Sequence, residues 1–296
     1  MTAGTDATGA IYDIGYRRYD GPRLGRGGAI GAVVQAGLRA VFGLGRSGRS
    51  KIIPWGVVVL AILPAIVAVA VRVLAGEIIP DLYSYENYLW QIGGLFGIFI
   101  AAQAPELVVN DIRYRVLPLY FSRPMSRFDY VASKLAALSI GLLALTLVPV
   151  LLLFIGRVLA TDDLLAALGD EIGSLPGIIG SAAIHAVVLA SIGIAISSLA
   201  SRRAYAAGAV LAVFLISSVI SEALSGGALD AFDDWAPFVS PLSIIDGARE
   251  WLFGGEVAQS PVGSSDVPLP AFGAAAALLM LVSWLVLAFR YRRITV

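Results

Sequence analysis

Apolar residues run almost unbroken for about twenty positions at six places along the chain, and polar residues gather between them. The six stretches are Pro54 to Ala75, Tyr88 to Ala104 (running on toward Val109), Leu135 to Gly156, Pro176 to Ala200, Ala204 to Ala223 and Ala271 to Tyr291. An α-helix of roughly 20 residues covers the ~30 Å hydrocarbon core of a bilayer, so each stretch is long enough to cross it. A membrane β-strand would show an alternation of about ten residues instead of a continuous apolar run. The pattern predicts an all-α polytopic membrane protein with six transmembrane helices. It divides into a leader over 1–53 and a transmembrane domain over 54–296.

The distribution of charge orients the helices. Of the 21 Lys and Arg residues, eighteen lie before the first span, after the second, after the fourth or behind the sixth; only Arg72, Arg157 and Arg249 fall on the other side. Acidic residues show the opposite bias, with fifteen of 21 on that other side. Cytoplasmic loops carry the excess of Lys and Arg, so both termini are expected in the cytoplasm.

The polar segments carry further elements. Ala29 to Leu44 sets Ile30, Val33, Val34, Leu38, Val41 and Phe42 at helical spacing beside Gln35 and Arg39, which predicts an amphipathic helix in the inner headgroup layer; a basic leader without fixed structure is the alternative. The outer loop over 224–270 is long enough to hold structure. Within it, Pro241 to Gly254 places Ile244, Ile245, Ala248, Trp251 and Leu252 on one face and Asp246, Arg249 and Glu250 on the other. This predicts a short helix before the sixth span, interfacial at the outer membrane surface with Trp251 at headgroup depth or re-entrant, or else a surface helix packed on its own loop. Gln259 to Pro270, rich in Ser, Pro and Gly, reads as a connector. Small residues crowd the fourth span (Gly177, Gly180, Ser181, Ser191, Gly193, Ala195, Ser197, Ser198), which lets helix backbones approach closely. Pro64 and Pro149 are expected to kink the first and third spans.

Composition narrows the chemistry. The chain is 58 % hydrophobic and 14 % charged, with zero net charge and no cysteine, so disulfides, thiolate metal sites and cysteine nucleophiles are excluded. The first 26 residues lack the apolar core of a cleaved signal peptide. Gly43, Gly48, Arg49 and Ser50 approach the phosphate-binding pattern GxxxxGK[ST]; Arg replaces the required Lys, however, and a membrane span follows directly. His185 is the only histidine, inside the fourth span and one turn after Ser181; one histidine without cysteines cannot complete a zinc site. It is expected to be neutral, bonded to a neighbouring helix or lining a cavity. No carboxylate sits at the centre of a span, so a carboxylate-pair protease and a proton relay lack candidates. Arg72 and Arg157 lie near outer ends, where their side chains can reach water.

The segment from Pro105 to Lys134, PELVVNDIRYRVLPLYFSRPMSRFDYVASK, remains. It holds five bases, Arg113, Arg115, Arg123, Arg127 and Lys134, with the turn sequence SRPMSR at Ser122 to Arg127. A helix along the inner face could show Arg113, Arg115, Asp111 and Asp129 to a partner while Leu117, Leu119 and Phe121 anchor it. The same arginines could equally serve only to fix topology and meet anionic lipid.

The run NDIRYRVLPLYFSRPMSRFDYVASK resembles the signature loop of exporter-type (type 2) ABC transporter permeases. The six-span frame and the helices before the first and last spans resemble that family too. The resemblance implies a permease subunit of an ATP-driven exporter, not itself an enzyme, that forms the path for a hydrophobic or amphipathic substrate. It implies two ABC ATPase subunits as partners, carrying the ATP and Mg²⁺, while this chain binds no cofactor and no metal. It further implies a second permease copy or a homologous permease, contact with membrane lipid and none with nucleic acid, and a place in the plasma membrane, the inner membrane of a bacterium. By that resemblance the loop is a coupling helix, with Glu106, Asp111, Arg113, Arg115, Leu117, Arg123 and Arg127 in the coupling role. The path would be lined by Gln91, Phe96, Phe99, Phe214 and Ser218. Two rivals from other classes stand beside this reading: a membrane-embedded enzyme acting on lipid, and a membrane anchor or sensor without transport.

Overall fold

Long apolar runs become helices because a chain in hydrocarbon must satisfy its own backbone hydrogen bonds. The computed structural model describes residues 20–21, 24–75, 82–161, 163–228, 230–254 and 261–293, and among them there is no strand. The first 19 residues, residues 255–260 at the start of the expected connector, and Glu77, Asp81 and Asp162 lie outside the described residues. Twelve α-helices follow in order: α1 (Gly25–Val41), α2 (Arg49–Ala75), α3 (Tyr85–Gln91), α4 (Gly93–Arg113), α5 (Leu117–Phe121), α6 (Arg127–Leu159), α7 (Leu164–Glu171), α8 (Leu175–Leu199), α9 (Arg203–Leu211), α10 (Ser217–Ala223), α11 (Pro241–Phe253) and α12 (Leu269–Arg292). Among the described residues six stretches are long and apolar enough to cross a membrane: Arg49–Leu74, Gly93–Arg113, Arg127–Leu159, Leu164–Leu199, Arg203–Gly226 and Leu269–Arg292.

The fourth span is the pillar of the bundle. In its most apolar stretch 72 % of residues are buried, against 17 % in the first span and 22 % in the fifth and sixth, so those three turn most of their surface outward. Its α8 packs against α4, α6, α9, α11 and α12. The small residues permit this: Ser181, Ser191, Gly193, Ala195, Ser197 and Ser198 are all buried within the one chain. A Cβ on Gly193 would stand 2.2 Å from Ile100 Cγ2 of α4, so nothing larger than hydrogen fits without movement. Gly193→Val should cost roughly 1–3 kcal/mol through overpacking, read as a lower Tm of the solubilised protein.

Several expectations change. The second span begins at Gly93, not Tyr88, because the backbone breaks at Ile92 between α3 and α4. The charged segment does not begin as a loop at Pro105: α4 continues through that proline to Arg113, with Ala104 to Val109 buried. The missing backbone donor is tolerated where tight packing holds the helix on both sides of it. The third span starts early, at Arg127, because Ser126 and Asp129 form a capping box there. The fifth span is not one regular helix: α9 and α10 are joined by a π-helical turn at Ala212–Ile216, and a second π turn follows at Leu224–Ala228. The stretch resembling a phosphate-binding loop is the turn between α1 and α2, with Gly43 at φ +63° and no strand before it.

The largest correction concerns α11. It does not turn Asp246 and Arg249 to water. It packs on α8 and α12, leaving Asp246 4 % and Arg249 2 % exposed, while Trp251 and Leu252 are the exposed ones. Gly247 explains the tight seat: a Cβ there would fall 2.4 Å from Phe272 Cγ of α12. At the opposite end of the bundle, α1 lies on α6 and α4 through Val33, Gly37 and Val41.

Candidate functional site

The end of the bundle that carries the basic segments is built around four ion pairs made by three acids of the 105–134 segment. Glu106 is buried on α4 between Arg46, from the α1–α2 turn, and Arg203, at the start of α9, whose Nη1 lies 2.5 Å from Glu106 Oε2. Asp111 receives Lys134 Nζ at 2.8 Å and the Tyr130 hydroxyl at 2.8 Å, tying the end of α4 to α6. Asp129 takes a two-pronged contact from Arg26 of α1, at 2.9 Å from Nε and 2.7 Å from Nη2. Two clefts of about 440 Å³ and 530 Å³ flank Arg46 and Glu106 on either side.

With the acids consumed, the outer rim of this end is basic. Arg113, Arg115, Arg123 and Arg127 are exposed. Among the described residues neither Arg115 nor Arg123 has an acidic partner; Arg113 lies over the neighbouring Tyr114 ring at 5.6 Å, and Arg127 donates to the carbonyl of Arg292 at 3.0 Å. Lys134 is inside, between the rings of Tyr120 and Tyr130. Burial pushes the Tyr120 phenol above its ordinary range, and the Asp111 charge adds to this, so Tyr120 stays neutral.

The turn presenting these arginines is rigid. α4 ends in a Schellman motif: Val116 N–H donates to Asp111 O at 3.1 Å and Arg115 N–H to Ile112 O at 3.3 Å. The motif needs a left-handed residue, ordinarily glycine, and here it is Arg115 at φ +54°. An L-residue in that conformation costs about 1–2 kcal/mol. Beyond it, Leu117 and Met125 are buried beneath α5, and the Ser126–Asp129 capping box starts α6, with the two reciprocal bonds at 2.9 and 3.1 Å. Two expected orientations are reversed. Asp129 faces inward to Arg26, and of the apolar residues Leu117 is turned inward while Leu119 is 69 % exposed. Leu117 is the buried anchor, with Phe121 half-buried.

At the other end, Gln91, Phe96 and Ser218 come together in a cleft of about 300 Å³ with His185, Glu222 and Asp246. Phe99 and Phe214 do not line it. Both are fully buried inside the chain, Phe99 near Phe42 at 6.2 Å and Phe214 against Gly97 of α4. A Cβ on Gly97 would stand 3.1 Å from Phe214 Cβ, so α4 and the fifth span approach closely there. His185 bonds within its own helix. Its Nδ1 lies 2.9 Å from the Ser181 carbonyl oxygen and so carries the hydrogen, while Nε2 faces Asp246 Oδ1 at 3.4 Å.

Reading from residue patterns missed Arg26, Arg46 and Arg203 as counter-charges, and missed Asp246 and Arg249 as buried groups. One signal was present for Glu106: a carboxylate followed by Leu107, Val108 and Val109 in a helix needs a cation nearby. Which of the many flanking bases supplies it depends on packing.

Residues 91–291 match the model of a family described as ABC-2 family transporter protein. The match runs from the last residue of α3 to nearly the end of α12 and leaves α1 and α2 outside it. None of the curated proteins matches the chain.

Proposed function

We propose, from the premise that this chain belongs to the ABC-2 transporter family and is the multi-pass permease component of an ABC transporter, that it serves an ATP-driven exporter and docks separate ATPase chains through the α4–α5 turn. The basic end is then cytoplasmic. Two copies, or one copy with a homologous permease, engage two ATPase subunits, which carry the ATP and Mg²⁺. The membrane is the plasma membrane, in a bacterium the inner one.

The observation that carries this reading is the turn itself. The three acids of the segment around it are turned inward and its arginines outward, on a backbone hydrogen-bonded at both ends. Topology or lipid contact alone would require positive charge but not a fixed shape. A left-handed arginine where glycine would be less strained points to a required side chain. The opposing groove of the ATPase is correspondingly acidic.

Movement of the docked ATPases would reach the spans along defined routes. The Schellman motif fixes the turn to α4, the capping box fixes it to α6, and Glu106 links α4 to the start of α2 and of α9. Displacement of the turn therefore moves the second and third spans and strains the Glu106 links to the first and fifth. This is the kind of packed interface that has two arrangements. The cargo is hydrophobic or amphipathic, with Gln91, Phe96 and Ser218 at the cleft it would traverse.

Co-purification tests the reading: under mild detergent the chain should retain an ATP-hydrolysing partner, and consistent purification without one would overturn it. A finer expectation separates structure from coupling. Arg115→Gly should stabilise the isolated chain by about 1 kcal/mol by relieving the left-handed strain, read as a small rise in Tm, while lowering ATPase stimulation.

A further inference from the structure

The side chain with the least satisfied charge lies far from the basic end. Arg249 of α11 is the largest fully buried side chain, yet neither its Nε nor its Nη2 has a hydrogen-bond acceptor among the described residues. Its nearest counter-charge, Asp246 Oδ1, is 4.0 Å from Nε, and the same oxygen faces His185 Nε2 at 3.4 Å. One carboxylate oxygen is shared between two groups and closely bonded to neither. A buried lysine could lose its proton; a guanidinium stays charged. Burying it without a partner is strongly unfavourable, so its retention requires a reason.

The guanidinium lines a small cleft of about 100 Å³ between α3, α6, α8 and α11, next to the turn that joins α7 to α8. Ser174, Ser181 and Tyr85 supply hydroxyls to its wall, and Gly173 and Gly177 leave one side free of side chains. Ser174 and Ser181 at present donate to the carbonyls of Glu171 and Ile178, three residues back, and each can rotate its proton toward an incoming oxygen. Tyr85 donates to Glu171 at 2.7 Å, and Glu171 has its own cation in Arg157, 3.7 Å away, so the one acid at the rim is already countered. The volume suits one compact oxyanion, and the neighbouring Leu89 and Phe253 suit an apolar tail.

We propose that Arg249 is the floor of a binding site for a single anionic oxo group, a carboxylate or a phosphate ester, that enters from the acidic end of the bundle. A guanidinium meets such a group through charge-assisted N–H donors, which are stronger than neutral ones. The group arrives either as a small water-soluble anion or as the head of a lipid or other amphiphile. The site does not depend on ATPase docking and is tested on this chain alone.

The test uses the purified full chain in neutral detergent and follows Tm with acetate or inorganic phosphate in one arm and decanoate or octyl phosphate in the other. Wild type should gain roughly 5 °C at saturating anion. Arg249→Met should lose that gain. Arg249→Lys should keep a reduced response. A gain with the amphiphiles alone assigns the anion to a lipid-like ligand; a gain with the small anions as well assigns it to a soluble one. The proposal is overturned if wild type does not respond in either arm, or if Arg249→Met responds equally.

Discussion

Replacing Arg113, Arg115 and Arg123 together with glutamate should abolish stimulation of the partner ATPase and weaken its association at least 100-fold. All three side chains are exposed, and none has an acidic partner among the described residues, so their reversal disturbs little inside the chain. Surface substitutions of this kind usually change stability by less than about 0.5 kcal/mol. Across a docked interface the same change sets like charges against one another at a cost of several kcal/mol, and each ~1.4 kcal/mol is tenfold in affinity. The measurement is ATPase rate and pull-down against added permease, with Tm as the control for folding. Rising salt should weaken the wild-type association, because rim charges are screened. Unchanged stimulation with an unchanged Tm would remove the coupling role from this turn.

The second large effect is on stability. Lys134 is buried, its ammonium 2.8 Å from Asp111 and flanked by the Tyr120 and Tyr130 rings. Lys134→Met leaves Asp111 with the Tyr130 hydroxyl and no cation, and should cost about 3 kcal/mol, the lower end of the range for breaking a buried pair. Pairing it with Asp111→Asn should recover most of that loss, since an amide can accept from Tyr130 without needing a counter-ion. The double-mutant cycle by denaturant or thermal unfolding isolates the coupling between the two side chains. If the double variant is as unstable as Lys134→Met, the pair is not what joins α4 to α6 there.

The six spans were legible because lipid imposes one simple rule, a long apolar run, and the chain keeps it at all six places. The charged turn was legible for a related reason: SRPMSR and its arginines interrupt that rule. What escaped was the consequence of three-dimensional proximity. Asp246 and Arg249 look like the polar face of a surface helix until Gly247 is seen to admit Phe272, which draws α11 into the bundle beside His185. Phe99 and Phe214 look like path residues until Gly97 is seen to let the helices close over Phe214. The π turn at Ala212–Ile216 leaves no mark in residues that are all apolar, and the partners of Glu106 come from segments more than fifty residues away on either side.

The chain contains no cysteine, so a single introduced one reports on a single position. Cross-linking from Arg115→Cys, with Leu119→Cys as a second position on the same exposed turn, tests the central claim most directly when a short bifunctional maleimide is applied to native membranes. A cross-linked product containing an ATP-binding chain, with a yield that changes between nucleotide-free membranes and membranes given a non-hydrolysable ATP analogue, is the predicted result. Cysteines that label freely in every nucleotide state and capture no ATP-binding chain, or that react with an impermeant maleimide added outside intact cells, would contradict it.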